Sequence, residues 1–145
     1  MEFIGHILWA GYLKGFTLPI MLGTLLPDLC LHLFFVHHRS LPADRFEHRL
    51  WKTSERLHSI FFVASAFLLA YLLDNSWLIS FSFGWGLHVF IDLLMHRREG
   101  ARYFYPFRDR KCSIGLFHWD NKTFIALNYV VLAFLYASRY VYHAH

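Results

Sequence analysis

The chain has 145 residues, one domain's worth, of which 57% are apolar and only 17% charged, against roughly 45–50% and about 25% in ordinary soluble domains. The formal charge is +4, but the basic residues fill the gaps between apolar runs: of 14 Lys and Arg, five lie between Arg39 and Arg56 and seven between Arg97 and Lys122. That placement fits membrane topology and speaks against a nucleic-acid binder, whose cations would gather on one face; the two cysteines, Cys30 and Cys112, cannot build a disulfide framework.

Four apolar blocks follow one another, which predicts an all-α, membrane-embedded, small multi-helix bundle in one domain over residues 1–145. The first block runs from Phe3 to about Val36. Its Gly23-Thr24-Leu25-Leu26-Pro27 stretch predicts a break, because a residue before proline is pushed out of the helical region. The expected helices are therefore about 3–22 and about 27–37. Met1–Gly15 carries no basic start, so no cleavable signal peptide is expected there. The second block is Leu57–Leu73, closed by Asp74-Asn75-Ser76, and its helix could start earlier, after Pro42. The third is Trp77–Met95 and the fourth about Thr123–Tyr142. About 20 apolar residues cross a bilayer core of roughly 30 Å. The 39–56 and 97–122 segments flank two apolar blocks, so they fall on one side, which the excess of Lys and Arg makes cytoplasmic.

The third block carries the chemistry. Ser80, Gly84, His88, Asp92 and His96 recur every four residues and so share one helix face. A buried Asp is costly unless paired, protonated or bound to a cation. His88 and His96 stand about 12 Å apart along the axis, too far to share one ion, so Asp92 is expected to share an ion with His88 and reach toward His96. Asp28-Leu29-Cys30-Leu31-His32 repeats the spacing of Asp92-Leu93-Leu94-Met95-His96. It adds a carboxylate at the same end, where His58 opens the second block. His6 lies in the first helix. His and Asp from separate helices can converge on a metal inside a bundle.

The order of these elements resembles the bacterial membrane-bound metal-dependent hydrolase family. The matching segments are His6, Gly23-Thr24-Leu25-Leu26-Pro27-Asp28, His58-Ser59, His88-Val89-Phe90-Ile91-Asp92 and Tyr105-Pro106-Phe107. The segment before His58, Thr53-Ser54-Glu55-Arg56-Leu57, departs from the His-Arg-Gly-x-Thr that often stands there. The order of ligands is also distantly similar to zinc-dependent phospholipase C. The resemblance implies a divalent ion, zinc before others, held as one or two ions by Asp28, His58, His88 and Asp92, with His6 supporting a neighbouring ion.

Such a centre would hydrolyse phosphoester bonds, of a phospholipid for example, with metal-activated water. Asp28 or Asp92 would bridge ions or orient the nucleophile, while Arg97, Arg98 and Arg102 would hold phosphate. The expected partners are membrane lipids, and the expected location is the bacterial inner membrane. The competing readings are a non-catalytic membrane metal protein and a bis-His haem protein; the two aspartates favour a divalent metal over haem.

Overall fold

The computed structural model describes residues 3–37, 52–95, 101–112, 114–116 and 121–143, with side chains for all of these except 3, 30–37 and 143. Among the described residues the chain is all-helical. The elements are α1 (Phe3–Lys14), α2 (Leu18–His37), α3 (residues 52–57), α4 (Ile60–Leu72), α5 (Ser76–Met95) and α6 (Lys122–His143). One isolated bridge joins Ala101 and Cys112 in the loop after α5.

The chain turns at Gly15, not at Pro27. Gly15 takes φ +92°, a conformation open to glycine, and its N–H closes α1 on the Gly11 carbonyl at 2.9 Å. Pro19 then falls in the first turn of α2, where its missing N–H is harmless. α2 runs unbroken through Pro27, correcting the expected division at 23–27. Pro27 deprives the turn before it of one hydrogen bond, but the α2 backbone there is clamped from outside. A Cβ on Gly23 would stand 1.9 Å from the Phe81 carbonyl oxygen, and one on Gly84 2.2 Å from that of Ile20. α2 and α5 thus meet backbone to backbone through small residues, as helices do inside membranes. That contact also explains why Gly84 belongs to the stripe on α5.

Ser59 separates α3 from α4, its Oγ accepting the Phe61 N–H at 3.2 Å as an N-cap. A turn at Asp74 and Asn75 reverses the chain, and the Asn75 side chain caps α5 by accepting from Leu78 N at 3.0 Å. α4 and α5 are therefore antiparallel, with the Asp74 turn at one end of the bundle and the 101–112 loop at the other. A small core of Val63, Trp85, Val89 and Tyr103 sits at the loop end. α6 leans on α1 through side-chain hydrogen bonds: Trp9 Nε1 donates to Asn128 Oδ1 (2.9 Å), Tyr136 OH to the Leu8 carbonyl (2.7 Å) and Arg139 to the Tyr12 carbonyl (2.6 Å).

Two helices, Ser76–Met95 and Lys122–Tyr142, are long and apolar enough to cross a membrane, and only 6% of the second lies buried within the chain. Leu127, Val130 and Phe134 on α6, and Leu68, Leu69 and Leu72 on α4, face outward. A core helix of a soluble bundle would cover such side chains; here they form an apolar exterior.

Candidate metal centre

Asp28 comes from mid-α2, His58 from the joint between α3 and α4, and His88 and Asp92 from successive turns of α5. One ligand atom from each lies within 4.8 Å of all the others. The inner contacts are tighter. Asp92 Oδ2 lies 3.1 Å from His58 Nε2 and 3.2 Å from His88 Nε2, and the two imidazole nitrogens are 3.3 Å apart. Asp28 completes the group, with Oδ1 3.8 Å from His58 Nε2 and Oδ2 3.7 Å from His88 Nε2.

The hydrogen-bond partners place the protons on this cluster. His58 Nδ1 lies 2.8 Å from the Ser54 carbonyl oxygen, which only accepts, so Nδ1 carries the hydrogen. In the neutral ring Nε2 then presents a lone pair to Asp92 and His88. Lone pairs and carboxylate oxygens converging at these distances repel unless a proton or a cation lies among them. The donor set fits a cation. Four atoms bound tetrahedrally at about 2.0–2.1 Å would lie about 3.3 Å from one another, which is the spacing of the inner three. Two imidazoles and two carboxylates suit zinc and its neighbours in hardness.

His6 is placed beside this group and outside the four. Its ring stacks on His88, centroids 4.2 Å apart, and its Nε2 lies 3.1 Å from Asp92 Oδ1. Both His6 ring nitrogens are buried without an aligned hydrogen bond among the described residues, as is His88 Nδ1. The side chain of His32, and residues His96, Arg97 and Arg98, lie outside the described residues. Arg102 is engaged elsewhere: its Nε donates to Glu55 at 2.8 Å and its Nη1 to Asp109.

Several supports carry no signal in the sequence. Trp85 Nε1 donates to the Leu57 carbonyl at 2.7 Å, and Ser54 Oγ to that of Pro27 at 2.8 Å. Buried Glu55 holds both Arg102 and Lys111. Tyr103, fully buried, sets its ring edge-on to His58 with centroids 6.4 Å apart. Burial, then the negative charge of Asp92, pushes its phenol up from the usual value, so the hydroxyl stays protonated. These partners are 27 to 47 residues apart in the chain, and no local pattern announces such pairs.

No curated protein and no solved structure matches the chain. Residues 5–145 match the YdjM inner membrane protein family. With two helices able to span a bilayer, an outward apolar surface and a match over nearly its whole length, the chain belongs to the YdjM inner membrane protein family.

Proposed function

We propose that the chain is an inner-membrane, metal-dependent hydrolase in which Asp28, His58, His88 and Asp92 hold a divalent ion, zinc before others. The carrying observation is the convergence of two imidazoles and two carboxylates, from three parts of the chain, on one mostly buried point. The bound ion would supply Lewis acidity, activating water and polarising a phosphoryl oxygen. The residues do the rest. The Asp28 side chain, 21% exposed against 5% for Asp92, borders the open side of the cluster, where it would orient the attacking water and accept its proton. Asp92 anchors both histidines. His6, against the other oxygen of Asp92, would support a second ion.

The proposed substrate class is a phosphoester, a phospholipid being the form met at a membrane, with Arg97 and Arg98 as the cations for phosphate. Arg102 would have to leave Glu55 and Asp109 to share that role. The proposed topology is multi-pass, with residues 39–56 and 97–122 cytoplasmic.

A non-catalytic metal-binding role is the second reading, favoured by the burial of His58, His88 and Asp92. A haem held by His58 and His88 fits poorly, because their nitrogens lie 3.3 Å apart with Asp92 against both, leaving no space for a porphyrin plane.

Elemental analysis of the purified protein tests the metal. One or two divalent ions per chain are expected, and Asp92→Asn should weaken binding by more than about 100-fold, since losing an outer partner alone costs about 10–100-fold. Hydrolysis of a generic phosphodiester should disappear in the same variant. A protein that neither retains nor rebinds a divalent ion would end the metal reading; tight metal binding without hydrolysis would leave the second reading standing.

A further inference from the structure

Asp28 and His58 reach the cluster from different elements, and one buried serine bonds beside both. Ser54, 2% exposed, donates its hydroxyl to the Pro27 carbonyl at 2.8 Å, one residue before Asp28. Its own carbonyl, also at 2.8 Å, accepts the Nδ1 hydrogen of His58. We propose that Ser54 is a positioning residue of the metal centre, coupling the placement of Asp28 to that of His58. The inference rests on the proposed metal centre and adds to it a residue that never touches the ion.

The Ser54 carbonyl lies on α3 four residues before His58 and accepts the imidazole N–H. That bond sets the His58 tautomer and turns Nε2 toward Asp92. An outer partner of this kind is what fixes a metal-binding imidazole. The hydroxyl bond does the second task. It pins α3 to α2 beside the ligand-bearing turn, so a shift of α3 along α2 would move His58 and Asp28 apart.

The rest of the segment is held as well: Leu57 by the Trp85 indole from α5, Glu55 by Arg102 from the following loop, and Ser59 by the Tyr105 carbonyl. These contacts hold α3 to α5 and to the loop. The Ser54 hydroxyl ties it to α2, and that tie is the one a single substitution removes while the His58–carbonyl bond remains.

The test uses the full chain in detergent, with zinc affinity read by competition against a chromophoric chelator. Ser54→Ala should bind zinc about 10–100-fold more weakly than the unaltered chain, and Ser54→Thr, which keeps the hydroxyl, should recover most of that loss. In an Asp28→Asn background, Ser54→Ala should cost far less, because residues acting through one another give non-additive effects. If Ser54→Ala does not fold, Ser54→Cys, nearly isosteric but a weak donor, should show the loss in its place. Unchanged affinity in Ser54→Ala or Ser54→Cys, or a loss that simply adds to that of Asp28→Asn, would overturn the coupling. An unaltered chain that binds no zinc would overturn the metal reading itself, and the positioning role with it.

Discussion

Asp92 meets an imidazole on each side: His6 at one oxygen, His58 and His88 at the other. Metal ligation by imidazole gives a pH dependence with a definite sign. Zinc held by His58 and His88 would need both rings neutral at Nε2, so affinity should climb with pH through the histidine range and then level. Zinc competition from about pH 5 to about pH 9, a range that brackets a histidine, would show the trend. His58→Gln should make it shallower, and an affinity that does not change across this range in the unaltered chain would contradict imidazole ligation. At this scale His88 and Asp92 are legible in the sequence, because an apolar helix with an aspartate four residues from a histidine must bury a charge, and a buried charge needs a cation beside it. Asp28 and His58 follow from the order of motifs, whereas Ser54 and Trp85 act through pairs formed only when distant segments meet.

Helix contacts decide where small residues are required. The α2–α5 crossing at Gly84 brings backbone within 2.2 Å of where a Cβ would be, and the atom met is a carbonyl oxygen that no rotamer change can move. Gly84→Ala should therefore push α2 from α5 and destabilise the protein by about 1–3 kcal/mol, the range for overpacking. Gly86→Ala is the milder comparison, since its Cβ would meet the Val63 Cγ1 at 3.0 Å, a side-chain atom and not a backbone carbonyl. Thermal unfolding in detergent should separate the two, and equal melting temperatures would mean that the crossing is looser than these distances require. The same crossing explains why the first block does not divide at Pro27. That proline carries a strong local signal for a break, but α2 stays helical past it, held there by α5 and the Ser54 hydroxyl. The true break has its own signature in Gly15 and Pro19, a glycine past one helix end and a proline inside the next start. The starts of α5 and α6 fall within a residue of expectation because Asn75 and Asn121 supply side-chain caps just before an apolar run.

The depth of the centre follows from the length of α5. Twenty residues at 1.5 Å each give about 30 Å, the thickness of a bilayer core, and Asp92 lies three residues from the helix end at Met95, about 5 Å along the axis. With α5 spanning a bilayer, the Asp28, His58, His88 and Asp92 cluster would sit just beneath one membrane face, where charge is far less costly than at mid-bilayer and where water can arrive. Arg102, Arg108, Arg110 and Lys111 gather in the loop at this end, and the Asp74–Asn75 turn marks the other. If the basic end is cytoplasmic, a membrane-impermeant maleimide applied to intact cells should label a cysteine placed at Asn75. In Arg110→Cys it should react only after the inner membrane is opened. Both variants need Cys30 and Cys112 replaced by serine, so that the introduced thiol is the one read. The reverse pattern would turn the metal centre to the outer face and rule out a cytoplasmic substrate. Labelling of both positions from outside would mean that α4 and α5 do not carry the chain across the bilayer, and the centre would then have to work from within one leaflet.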